Sequence, residues 1–218
     1  MDASIEENFF YLNRDLLNHK DACNFCGHGE TMLKHFRYIN WIRLLRGKNI
    51  LPESTAPLNW NTLKTDTHKL FISLPDDTRH IHVVNHMLSR ILLENSSLNI
   101  SVLVPPAFED FIRSMRFYKN IYILPTVKPT AFPITEEMVA GATGETCDIG
   151  IDLNISPYIL SHYLIATRSK KASLGFYNPF SAPLFSMTLK LGESGSYDNG
   201  LESLFTMAGI QIPEQKSL

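Results

Sequence analysis

A chain of 218 residues, 44% of them hydrophobic, carries enough apolar material for a substantial core and is too apolar and too evenly charged to stay disordered. Twenty Lys and Arg stand against 22 Asp and Glu, so the formal charge of -2 provides no global field to draw in nucleic acid or an anionic membrane. No run approaches the roughly 18 consecutive apolar residues of a membrane span, and the acidic start MDASIEENFFYLNRD lacks the basic and apolar regions of a signal peptide, so a cytoplasmic setting is expected.

The first 20 residues read as a helix. Ser4 can cap it, Glu7 completes a capping box, and Phe9, Phe10, Leu12, Leu16 and Leu17 form an apolar stripe. The pattern breaks between Asp21 and Gly29. A second helix is expected from Glu30 to Arg46, burying Leu33, Phe36, Ile39, Trp41, Ile42 and Leu45, with Gly47 placed to stop it. Residues 47–66 hold Pro52, Pro57 and several Asn, Ser and Thr, and read as a connector that Trp60 pins to the main domain. Residues 1–65 are therefore expected to be a helical extension and connector.

Beyond it, short apolar strands are expected at 70–75, 99–105, 120–125, 147–154 and 172–177. Helix-length segments at 79–94, 107–118 and 156–168 separate them, and another helix at 199–208 follows. The Pro-, Thr- and Gly-rich link 126–146 has room for a short helix near 134–140. This alternation specifies βαβ units with right-handed crossovers: a Rossmann-like α/β domain over residues 66–212, its largely parallel sheet flanked by helices. Residues 179–191 can add an edge strand with antiparallel pairing, and residues 213–218 read as a flexible tail.

Cys23, Cys26 and His28 form C-x-x-C-x-H, which a turn at Gly27 and Gly29 can fold around one soft ion such as zinc, with His35 as a fourth ligand. A redox pair and ordinary thiols in a helix connection stay open beside that reading; an odd count of three cysteines does not describe a secreted disulfide framework. Asp76 and Asp77 follow the first strand of the domain, where open α/β sheets bind ligands. Either can serve as a catalytic base if its pKa is raised, or one of Asp76, Asp77 and Thr78 caps the next helix. The same turn has no glycine-rich dinucleotide or Walker motif. His80, His82 and His86 read as a helix-face cluster without the glutamate of H-E-x-x-H. Asp148 and Asp152 share one face of the fourth strand, and Asp152 with Asn154, nearer its carboxyl end, is the ligand-binding candidate. Lys170 and Lys171 belong to a short basic run that either is solvated or meets a phosphate. Gly192 to Ser196, GESGS, has serine where a nucleophile elbow closes on glycine.

The stretch CDIGIDLNISPYILSHYLIATRSKKASLGF resembles the acceptor-side domain of heptosyltransferase-like glycosyltransferases: an apolar strand ending in Asp152 and Leu153, an apolar helix, then a basic turn through Arg168 and Lys171 into the strand that holds Gly175. LFISLPDDTRHIHVVNHMLSRIL, NISVLVP and YDNGLESLFTMAGI resemble that family's opening strand, helix, second strand and a later leucine-rich helix. The family's opening loop carries Gly-Asp, with the Asp implicated as base; here the loop is Leu74, Pro75, Asp76, Asp77, without the glycine. The resemblance implies one half of a two-domain enzyme whose sugar-nucleotide donor binds mainly in the other half. It implies Asp77 as base, Asp76 orienting it, Asp152 and Asn154 on acceptor hydroxyls, and Lys170 or Lys171 on phosphate. Three functions follow as expectations: a non-catalytic or partner-dependent domain that binds a sugar-like ligand or a protein, a transferase completed by a partner or homo-oligomer, or a small zinc-binding interaction protein.

The zinc reading expects metal in protein purified without added zinc, and its loss in Cys23→Ser. Metal-free protein with unchanged stability in Cys23→Ser leaves the thiols as ordinary ones.

Overall fold

The structure, a computed structural model, describes residues 29–51, 67–95, 97–115, 118–140, 145–192 and 196–212. The expected first helix, Trp60 and three of the four expected zinc ligands, Cys23, Cys26 and His28, lie outside the described residues.

Helix α1, Gly29–Gly47, is the extension's second expected helix. It buries Tyr38, Ile42 and Leu45, while Phe36, expected on the buried face, is 62% exposed. Tyr38 takes the inward position because its ring packs on Phe132 and Phe180 and its hydroxyl donates to the Phe180 carbonyl at 2.7 Å. A phenylalanine has no polar tip to satisfy that carbonyl.

Strands and helices then alternate: β1 Lys69–Ser73, α2 Thr78–Glu94, β2 Asn99–Val104, a 3-10 turn Pro106–Phe108 running into α3 Glu109–Arg113, β3 Asn120–Ile123, α4 Glu136–Ala140, β4 Cys147–Asp152, α5 Ile159–Arg168, β5 Ser169–Phe176, β6 Met187–Leu189 and α6 Tyr197–Met207. The helix expected at 107–118 is shorter than the pattern suggested, beginning as a 3-10 turn at Pro106. The expected edge strand is present as β6, and it pairs parallel to β5, not antiparallel.

The six strands lie in the order β3-β2-β1-β4-β5-β6, all parallel. The chain builds outward from β1 through β2 to β3, then returns to place β4 on the other side of β1. The β1–β4 boundary is therefore the topological switch point, where open α/β sheets leave a crevice at the strands' carboxyl ends.

Period-two alternation sorts side chains between two apolar layers. Leu70, Ile72, Ile149 and Ile151 pack with Val84, Leu88 and Ile91 of α2 and Leu201, Leu204 and Phe205 of α6. On the other face Phe71 joins Tyr38 and Ile42 of α1 and Ile159, Leu164 and Ile165 of α5. Ser73 and Asp152 belong by alternation to this second face, and they are register partners at the ends of β1 and β4.

Gly150 brings α5 close to the sheet. A Cβ there would lie 2.9 Å from Ile165 Cγ2 and 3.1 Å from the Ile165 carbonyl oxygen. Gly150→Ala is expected to push α5 off β4 and to cost about 1–3 kcal/mol in urea unfolding. Gly47→Ala, with nothing within 4 Å of the added methyl, is the control and is expected to be neutral or stabilising.

Candidate functional site

The switch point is filled by side chains. Asp152 and His162 are both 0% exposed, and Ser73, Ser161, Asn154 and Asn178 are buried with them. A carboxylate in such a place costs several kcal/mol of desolvation unless its oxygens are satisfied. Asp152 Oδ1 accepts from the Asn154 backbone N–H at 2.9 Å and from Asn154 Nδ2 at 2.8 Å. Oδ2 accepts from Ser161 Oγ at 2.5 Å and from His162 Nδ1 at 2.8 Å.

The proton on His162 is fixed by what faces its other nitrogen. The Tyr158 backbone N–H, which can only donate, points at Nε2 from 3.3 Å, and Asn178 Nδ2 lies 3.4 Å from it. Nε2 is thus the acceptor and Nδ1 carries the hydrogen that reaches Asp152. The same contact supplies a partner for an amide at the start of α5, where Tyr158 gives no side-chain cap. The two serine hydroxyls lie 2.6 Å apart. With its single proton directed to the carboxylate, Ser161 takes that of Ser73, and Ser73 accepts from Asn154 Nδ2 at 3.3 Å. Asn178 extends the network to the end of β5, where its Oδ1 accepts from the backbone N–H groups of Phe180 and Ser181 at 3.0 and 2.8 Å.

Serine, histidine and aspartate meet here without forming a nucleophilic triad. Both Ser161 and His162 bond the carboxylate directly, so the imidazole does not stand between the acid and the hydroxyl.

The rim is held by this core. Asn154 Oδ1 accepts from the Asp76 backbone N–H at 2.9 Å and so sets the β1–α2 loop. Asp76 itself is exposed. Its carboxyl pKa is raised, chiefly by partial desolvation, with the Asp77 and Asp152 charges pushing the same way against its own and Asp77's backbone amides. Asp77 has the opposite character. It caps α2 by accepting from the Arg79 N–H at 2.9 Å, and the Arg79 guanidinium grips both its oxygens, which holds its carboxyl far below the usual range. Of the pair, Asp76 carries the raised pKa and Asp77, expected from the resemblance as the base, is bonded to Arg79 and to the start of α2.

Of the remaining expected site residues, Asp152 and Asn154 are the centre of this network, whereas Lys170, Lys171 and His35 lie away from it. Asp152 and Asn154, expected on acceptor hydroxyls, are buried and bonded to each other. Lys170 and Lys171 sit at the amino end of β5; Lys171 lies four residues before Gly175, the register partner of Asp152, roughly 13 Å away at about 3.3 Å per residue. Lys171 instead lies 4.0 Å from Asp148, which also accepts from the backbone N–H groups of His68 and Lys69, both at 2.9 Å. His35 is half-buried on α1, edge-on to Phe180. Among the described residues, no group of three or more His, Cys, Asp or Glu is placed to hold a metal. Ser73, Ser161, His162 and Asn178 went unnoticed in the sequence, although the Ser-His pair inside ILSHYLIATR is polar where the helix is otherwise apolar.

Two solved structures of the E. coli heptosyltransferase WaaC, one with ADP and one with ADP-2-deoxy-2-fluoro heptose, share this fold. Each matches with a TM-score of 0.53 and 11% identity, covering 68% of this chain and 50% of that one. The chain thus spans about half the length of the structures it matches, and the likeness defines a glycosyltransferase-like, Rossmann-like fold. No protein-family profile and no curated protein matches the sequence.

Asp152→Ala would strand the Ser161, His162 and Asn154 donors in the interior. It is expected to cost at least about 3 kcal/mol in urea unfolding. Asp152→Asn, which turns an amide donor towards donors, is expected to cost nearly as much despite its equal size.

Proposed function

We propose that this chain works as a glycosyltransferase-like domain that is not catalytic by itself and depends on a partner, or on a second copy, to complete a ligand site on the carboxyl edge of its sheet. The observation that carries this reading is the filled switch point. The groups that would hold an acceptor sugar, Asp152 and Asn154, are spent on each other and on α5, while Asp76 is presented outward on a loop anchored from beneath. A wall bearing one carboxylate of raised pKa can orient or deprotonate a hydroxyl. Among the described residues no second wall stands opposite it to hold a donor. No helix among the described residues is long and apolar enough to cross a membrane.

The transferase reading moves the base from Asp77 to Asp76, because Asp77 is committed to Arg79 and to the cap of α2. The zinc-clip reading rests on residues outside the described ones, together with His35, whose pKa burial lowers, so that its imidazole favours the unprotonated form a metal requires.

The purified chain, given ADP-heptose and a sugar acceptor, is expected to release no ADP. Release by the isolated chain that disappears in Asp76→Asn would establish it as a transferase in its own right.

A further inference from the structure

Helix α1 grips the loop that covers the switch point. That loop, residues 178–185, leaves the carboxyl end of β5. It covers His162 with two side chains: Asn178 Nδ2 stands 3.4 Å from Nε2, and the Phe185 ring meets the imidazole edge-on at 5.3 Å. Asn178 is fixed in turn by the backbone of its own loop, because its Oδ1 accepts from the Phe180 and Ser181 N–H groups. Tyr38 and Arg46, about two turns apart on α1, each donate to a carbonyl of this loop. The Tyr38 hydroxyl donates to the Phe180 carbonyl at 2.7 Å, and Arg46 Nη2 donates to the Pro183 carbonyl. The Phe180 ring packs edge-on against Tyr38 and His35 of the same helix. Burial raises the pKa of the Tyr38 phenol, which keeps it a donor.

A chain of hydrogen bonds therefore runs from α1 to the switch-point carboxylate. It passes from Tyr38 to the Phe180 carbonyl, from the Phe180 amide to Asn178, from Asn178 to His162, and from His162 to Asp152. The two ends of the grip are unequal. Tyr38 is fully buried and its hydroxyl is satisfied. Arg46 is half-buried, and its Nε is enclosed with no hydrogen-bond partner among the described residues. A buried donor without a partner costs free energy that water returns when the group is uncovered. The Arg46 end is thus the weaker one. Lys34, Phe36, Arg37, Asn40, Arg43 and Leu44 face solvent, so the helix is held down along one side only.

We infer that α1 is a strap over the switch point: by gripping the Phe180 and Pro183 carbonyls it holds the 178–185 loop down on His162, and its release uncovers the Asp152 network to solvent. The filled switch point then has a second, open state whose population α1 sets. A partner that acts on α1 alone, at a distance from the rim, would open it. The inference goes beyond the ligand-site reading, because these bonds define the strap whatever the carboxyl edge binds.

Hydrogen exchange followed by NMR on the full chain tests this. Tyr38→Phe/Arg46→Met removes both donors of the strap and leaves every residue of the plug in place. Tyr38→Phe alone, which loses one hydroxyl and keeps the ring, is the milder companion. Three sets of protons are read in each: the Phe180 and Ser181 amides, the His162 Nδ1 proton, and the amides of β1 and β4. In the double variant the first two sets are expected to exchange at least about tenfold faster than in the wild type, while β1 and β4 keep the wild-type rate. Tyr38→Phe is expected to show the same pattern at smaller amplitude. Wild-type rates throughout both variants would overturn the inference. So would faster loop amides beside an unchanged His162 proton, which uncouples the loop from the plug. Equal acceleration of all three sets in both variants would overturn it as well, because α1 is then part of one cooperative core and no strap.

Discussion

The bond between Asp152 and the first turn of α5 is the constraint on which the carboxyl edge depends. A carboxylate at the end of a central strand is tolerable in the interior only while its donors stay in place. Here those donors come from the strand's own continuation, Asn154, and from two successive residues of one helix, Ser161 and His162. Through Asn154 the network reaches the Asp76 loop, through Ser73 it reaches β1, and through His162 and Asn178 it reaches β5. Three strand ends and a helix start are thereby tied to one anion. Gly150 makes this possible, since only a residue without a side chain lets α5 settle low enough on β4.

A parallel sheet in which β1 and β4 meet leaves a crevice between the loops that leave them. In this chain that crevice is plugged by polar side chains that satisfy one another. Only the outermost carboxylate of the region, Asp76, retains both exposure and a raised pKa. The likeness in fold to about half of a heptosyltransferase chain is thus accompanied, in this chain, by a switch point occupied by its own side chains.

Much of the fold was legible. The alternation of strands and helices, the parallel pairing and nearly all element positions followed from periodicity, because buried parallel strands read as apolar runs and their crossover helices as broad apolar faces. What failed had local causes. Phe36 was expected inside α1, but at 3.6 residues per turn it falls on the side away from Tyr38, Ile42 and Leu45, the face that turns inward and on which the Tyr38 hydroxyl satisfies the Phe180 carbonyl. The candidate site was less legible. Asp76, Asp152 and Asn154 were singled out from their positions at strand ends, and they do lie together. Their roles were not readable, since spacing cannot say that Asp152 points beneath a helix or that Arg79 will clamp Asp77. Ser161 and His162 were missed because two polar residues within an apolar helix carry no motif. Their meaning lies in the register that sets them over Asp152, a long-range fact absent from local pattern.

The central claim is that His162 serves Asp152 as a fixed hydrogen-bond donor, not as a proton carrier open to a ligand. Imidazole-nitrogen NMR on histidine-labelled protein, with the His162 signals assigned by their loss in His162→Gln, reads this most directly. The account predicts the hydrogen on Nδ1, a strong hydrogen bond from it to the carboxylate, and an unprotonated Nε2. A hydrogen on Nε2, or rapid exchange of the Nδ1 proton with solvent, would contradict it.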